Sequence, residues 1–178
     1  MGSVVIVCGV DLRGVARRPS GVALLGEGLL YVGVFHEDSE LLELVKAYRP
    51  SVAAVDAPLS PAEGFREVDR EMLRRGFRVL PPGWRGMRAL VERAARLSRE
   101  LASLGVTVIE THPRSALAAS GCTAGTLLRM HGVELGRELT RDELDAIISA
   151  IVARYYAEGA RAEVRGLDGC IYLLPRLC

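Results

Sequence analysis

Three apolar runs in this chain end on a carboxylate: residues 4–11 on Asp11, residues 52–56 on Asp56 and residues 106–110 on Glu110. A single acid in such a place commonly serves a turn or caps the next helix. Repetition at three strand ends is harder to assign to capping, because a carboxylate set straight after a buried run is costly unless a cation or hydrogen-bond donors compensate it. Asp142 and Asp145 add a further pair, three positions apart and therefore on one helical face. Asp142 has a competing explanation: Thr140 and Glu143 form a capping-box pattern, and acids in a first turn favour the helix dipole. Asp145 lies deeper and is followed by Ala146, so capping does not explain it. Oxygen ligands of this kind suit Mg²⁺ or Mn²⁺. Two such ions, roughly 4 Å apart and bridged by one carboxylate, would activate water on one side and steady a leaving oxygen on the other. Asp11 is the expected bridge, since a first, central strand holds it most rigidly.

These acids need elements to hold them. Residues 4–11 are almost continuously apolar, as in a strand covered on both faces. A turn-rich stretch follows over 13–20. Residues 21–25 and 29–35 are β-like runs joined by Gly26-Glu27-Gly28, which predicts an antiparallel hairpin. A short helix follows Ser39 and is stopped by Pro50; residues 52–56 form a buried strand, and residues 59–84 are irregular with a short helix over 63–75. Met87, Leu90, Val91, Ala94, Leu97, Leu101 and Leu104 predict a long amphipathic helix over 86–104, followed by a fifth strand over 106–110. Short helices are expected after Pro113 and Thr123. The last long helix spans 141–158, and the tail from 166 onward is coil with one β-like piece at 170–174. A hairpin on one edge with crossover helices afterwards implies a single α/β domain over 1–178, built on a mixed five-stranded sheet with helices on both faces. In open α/β sheets ligands bind at the carboxyl ends of the strands, where these acids stand.

Composition sets the outer bounds. Apolar residues make up 49% of the chain and the net charge is +1, which excludes a disordered polyelectrolyte. Met1-Gly2-Ser3 lacks the basic region and cleavage site of a signal peptide, and no apolar run reaches the roughly 20 residues of a membrane helix, so a cytoplasmic protein with no membrane attachment is expected. Lys46 is the only lysine, and the remaining basic residues are arginines, whose forked guanidinium suits phosphate oxygens. Genome base composition or heat adaptation would produce the same bias. None of Cys8, Cys122, Cys170 and Cys178 pairs at a metal-ligand spacing, and a disulfide between Cys170 and Cys178 is compatible with their places in the tail. No Gly-Lys-Ser/Thr loop, dinucleotide fingerprint or nucleophile elbow occurs. Trp84 offers either a base-stacking platform or an apolar anchor for its loop.

An acid ending the first strand, another ending the fourth, and Asp-x-x-Asp-Ala opening the last helix resemble the Holliday-junction resolvase branch of the ribonuclease H-like superfamily. More closely, Gly9-Val-Asp-Leu with Pro19-Ser-Gly-Val-Ala23, Val55-Asp-Ala-Pro-Leu59, Arg66-Glu-Val-Asp-Arg70, Glu110-Thr-His-Pro113 and Asp142-Glu-Leu-Asp-Ala146 are similar to domain-of-unknown-function family 429, a group of predicted nucleases of that fold. The resemblance implies Asp11 and Asp145 as central metal ligands with Asp56 between them, Asp11, Asp56 and Asp145 carrying catalysis. The resolvases usually have Glu where this chain has Asp56, whose shorter side chain reaches less far. Glu110 is implied as a ligand or as a cap for the helix at Pro113, and Asp142 as a completing ligand. Arg66, Asp69 and Arg70 would bind phosphate or pair with one another. His112 would reach the cleft as a base or phosphate contact, or stand as a solvated loop residue. The arginines of 85–99 would meet a phosphate backbone. The function implied is a metal-dependent nuclease acting on DNA or RNA, its oligomeric state open and a homodimer among the options. The rival is a non-catalytic nucleotide- or nucleic-acid-binding or regulatory protein on the same fold.

Overall fold

The computed structural model describes residues 4–15 and 17–178; the expectation about a leader at residues 1–3 lies outside them. The chain builds β1 (Val7–Asp11), β2 (Ser20–Leu25), β3 (Leu29–Phe35), α1 (Asp38–Tyr48), β4 (Val52–Asp56), α2 (Glu67–Arg74), α3 (Arg88–Ser103) and β5 (Thr107–Thr111). Then come α4 (Pro113–Ser120), α5 (Ala124–Met130), α6 (Arg141–Ala157), β6 (Ala162–Gly166) and β7 (Gly169–Leu173). Sheet order is β3-β2-β1-β4-β5-β7-β6. β1, β4, β5 and β7 run parallel, and antiparallel hairpins, β2–β3 and β6–β7, lie at the two edges. Among the described residues no helix is long and apolar enough to cross a membrane.

The sheet therefore has seven strands where five were expected. Of the two extra strands, β7 falls on the β-like piece expected at 170–174, and β6 lies over 162–166, between the last helix and the tail, where no element is expected. β6 is Ala-Glu-Val-Arg-Gly, in which only Val164 is fully buried. A charged, short edge strand carries little apolar periodicity, which is how edges avoid pairing with other chains, and it leaves no sequence signal. The disulfide expectation is also corrected: Cys122 bonds Cys178 and ties the C-terminus to the α4–α5 connection, while the Cys170 thiol is free and lies 3.4 Å from Glu163 Oε2. Trp84 is 58% exposed and anchors no core.

Alternation along β1 and β4 divides the core. Cys8, Val10, Ala53 and Val55 pack with Leu41 and Val45 of α1 and Ala94, Leu97 and Leu101 of α3. Val7, Val52 and Ala54 face the other way, toward α6. That helix is buried over most of its circumference from Asp145 to Ala153. Two glycines admit it. A Cβ at Gly9 would stand 2.0 Å from the Ala146 carbonyl oxygen, and one at Gly21 would stand 2.1 Å from the Asp142 carbonyl oxygen. Backbone thus meets backbone where α6 crosses β1 and β2, and the first turns of the helix lie over the carboxyl end of β1.

A candidate acidic active site

In the parallel pairing of β1 and β4, Asp11 stands opposite Asp56, so both side chains leave the sheet on the same side, the one α6 covers. α6 brings Asp145, 8% exposed, to that side. Asp11, Asp56 and Asp145 line one cleft of about 660 Å³. Its other walls carry His112, Arg78 and Arg114, and an apolar face of Phe77, Val79, Leu80, Met87 and Leu90.

The carboxylates disfavour each other's charge. Burial pushes the Asp11 pKa up to about 7; Arg13 opposes this, while Asp142 and Asp145 add to it. Asp56 is held well above the usual carboxylate range, chiefly by burial and then by the charges of Asp11 and Asp145. Asp145 is raised as well, mainly by burial, with Arg141 and Arg13 opposing. These are the electrostatics of an anionic pocket short of positive charge.

Arg13, in the turn after β1, brings positive charge to all three acids. Its guanidinium Nη2 lies 3.3 Å from Asp11 Oδ2 and makes a close ion pair with Asp142 Oδ1. The backbone beneath it is pinned on both sides. The Arg13 N–H donates to Ser20 Oγ at 3.0 Å, and the Arg13 carbonyl accepts from Arg93 Nη1 at 2.7 Å. Arg93 itself is 6% exposed and is held by Asp38 and the His36 carbonyl, so it serves the interior of the protein. The available signal for Arg13 was its spacing: two residues beyond Asp11, at the mouth of the same strand. Asp142, paired to Arg13, does not line the cleft. The Thr140–Glu143 capping box is present, with Thr140 Oγ1 accepting from the Glu143 N–H at 3.2 Å.

Glu110 does not line the cleft, although its charge is near enough to add to the rise at Asp56. In register it stands beside Val55, one residue short of Asp56, so the pleat turns it to the opposite face of the sheet. There Arg66 takes it bidentately, with Nη1 to Oε2 at 2.8 Å and Nη2 to Oε1 at 2.5 Å, and Glu110 Oε2 also accepts from the Leu59 N–H at 3.0 Å. Arg66 uses Nε and Nη2 on Asp69 as well, at 3.0 and 2.8 Å. All three side chains are buried and none lines the cleft. Arg70 is exposed on α2, also away from the cleft. His112 does line it. Its Nδ1 is 2.6 Å from Ser115 Oγ, and burial lowers its pKa, which favours the neutral ring.

Hard oxygen donors with raised pKa values fit a divalent cation by their chemistry. As the side chains stand, with Arg13 among them, no group of three or more His, Cys, Asp or Glu among the described residues is gathered closely enough to hold one.

Comparison with known proteins follows the architecture. No family model matches the chain. No curated protein matches it. Among solved structures, RuvC of Thermus thermophilus in complex with a Holliday junction substrate is similar, with TM-score 0.58 and 18% identity over 87% of this chain and 96% of that one. A second Thermus thermophilus RuvC structure gives TM-score 0.57 and 15% identity over 86% and 96% of the two chains. At these identities the likeness establishes the fold, which is α/β and ribonuclease H-like.

Proposed function

We propose that the protein is a divalent-metal-dependent nuclease of the family 429 type, hydrolysing phosphodiester bonds in DNA or RNA with Mg²⁺ or Mn²⁺. The observation that carries this reading is the meeting of Asp11, Asp56 and Asp145 on one cleft at the carboxyl end of a RuvC-like sheet, with the pKa of each raised. Asp11, Asp56 and Asp145 would hold the metal, with Asp142 completing the set once free of Arg13. A divalent ion there polarises a phosphoryl oxygen and lowers the pKa of a water. The neutral His112 is suited to take up a proton at the ring nitrogen not facing Ser115, and Arg78 and Arg114 supply positive charge for the phosphate backbone on the far walls. Glu110 and Arg66 act in this reading as a buried brace between β5 and the start of α2.

The test is cleavage of single-stranded, duplex and branched DNA and RNA with Mg²⁺ or Mn²⁺, by the wild type and by Asp11→Asn. Asparagine keeps the shape and removes the charge, so cleavage should fall at least a hundredfold while the fold persists. Equal cleavage by the two proteins would contradict the assignment. The second reading, a non-catalytic nucleic-acid-binding protein, draws support from Arg13 neutralising the acids; it predicts retained nucleic-acid binding with no cleavage by either protein.

A further inference from the structure

The acid pocket already contains a cation, and it belongs to the chain. We propose that Arg13 is an exchangeable internal counter-ion, which a divalent metal must displace from Asp11 and Asp142 in order to bind. The proposal rests on the metal-site reading above and adds the step by which the site is loaded. The Arg13 guanidinium reaches Asp11 on β1 and Asp142 on α6 at once, and so occupies the charge of two of the acids that would hold a metal. Its side chain is 37% exposed, so a path into solvent or the cleft is open to it, whereas the carboxylate it holds on Asp11 is 4% exposed. Its backbone is fixed by Ser20 and Arg93, so exchange requires only side-chain rotation about a pinned base. A fixed base and a mobile, two-partner head are what reversible exchange needs.

Competition has a signature that general electrostatics lacks. Removing any positive charge from the cleft attracts cations somewhat, but a charge without contact to the carboxylates is screened by salt over a Debye length of about 8 Å. Mn²⁺ binding should be measured by titration calorimetry at physiological salt, with no nucleic acid present, for the wild type, Arg13→Ala, Arg13→Gln and Arg114→Ala. Arg114 lines the same cleft and makes the charge-matched control. The proposal expects at least tenfold tighter Mn²⁺ binding by both Arg13 variants and less than threefold by Arg114→Ala. It also expects Mn²⁺ to raise the melting temperature of Arg13→Ala more than that of the wild type, because tighter binding to the folded state gives greater stabilisation at one metal concentration. The Gln variant keeps a polar side chain on the loop should the Ala variant fold poorly. Binding by the Arg13 variants no tighter than by Arg114→Ala would overturn the counter-ion proposal and leave the metal site standing. No Mn²⁺ binding by any of the proteins would overturn both.

Discussion

Asp11 has a consequence that can be measured without any substrate. Its pKa in the folded protein is about 7, against an ordinary value of 3.8. Between those values the folded state holds a proton that the unfolded chain releases, so the contribution of Asp11 to stability falls as pH rises from about 4 to about 7. Asp56 and Asp145 are shifted in the same direction and add to the trend. Glu143, held down to about 2 chiefly by its hydrogen bond to Arg137, works with the opposite sign at the acid end, and His112 and His131, both lowered chiefly by burial, oppose the trend below their ordinary value of 6.5, so the acids must outweigh them. In the absence of metal, the melting temperature should therefore be higher at pH 5 than at pH 8, and Asp11→Asn should flatten that slope and melt higher than the wild type at pH 8. A pH slope that Asp11→Asn leaves unchanged would show that Asp11 does not carry the trend. At this scale the sequence was informative about which residues mattered and silent about their pairing. Asp11, Asp56 and Asp145 announce themselves by ending apolar runs or resisting a capping explanation. Arg13 and Arg93 have no such mark, because an arginine in a turn or on an amphipathic helix has solvent as its default partner.

The elements explain why the acids meet. α6 approaches β1 and β2 to backbone contact through Gly9 and Gly21, and this close approach carries Asp145 to the side of the sheet that Asp11 and Asp56 share. Gly9→Ala would drive a methyl into the Ala146 carbonyl and the Ala150 amide, both backbone groups that cannot step aside. Its expected cost is on the order of 4 kcal/mol or more, since it displaces a buried helix. Urea unfolding will read this directly, and a loss under about 1 kcal/mol would show that α6 can slide. The brace on the opposite face gives a second expectation. Arg66→Met leaves Asp69 and Glu110 buried with no cation and should cost about 3–5 kcal/mol. Arg70→Met on the same helix is exposed and should cost less than about 0.5 kcal/mol. Helical and strand periodicities in the sequence located α3, α6 and β1 to β5 to within a few residues. They could not reveal which face Glu110 takes, because that depends on its register against β4, a long-range property that no local pattern carries.

Across the whole molecule, the alternation of strands with apolar helices foretold a mixed sheet covered on both faces, and the order of the acidic motifs pointed to the ribonuclease H-like architecture now seen. β7 is legible as the β-like piece at 170–174, whereas its partner β6 and the Cys122–Cys178 bond are not, for one shared reason. Both close the C-terminal end of the chain through contacts that local sequence does not encode: a charged edge strand with one buried side chain, and a disulfide spanning 56 residues. Neither touches the cleft, and the central claim is independent of them. That claim is that Asp11, Asp56 and Asp145 form a divalent-metal site from which Arg13 gives way. Anomalous diffraction from crystals soaked in Mn²⁺ tests it most directly. The account predicts a strong Mn²⁺ peak bounded by the carboxylates of Asp11, Asp56 and Asp145, with the Arg13 guanidinium moved off Asp11. A fully soaked crystal with Arg13 still seated on Asp11 and Asp142, and Mn²⁺ absent or bound only elsewhere, would contradict it.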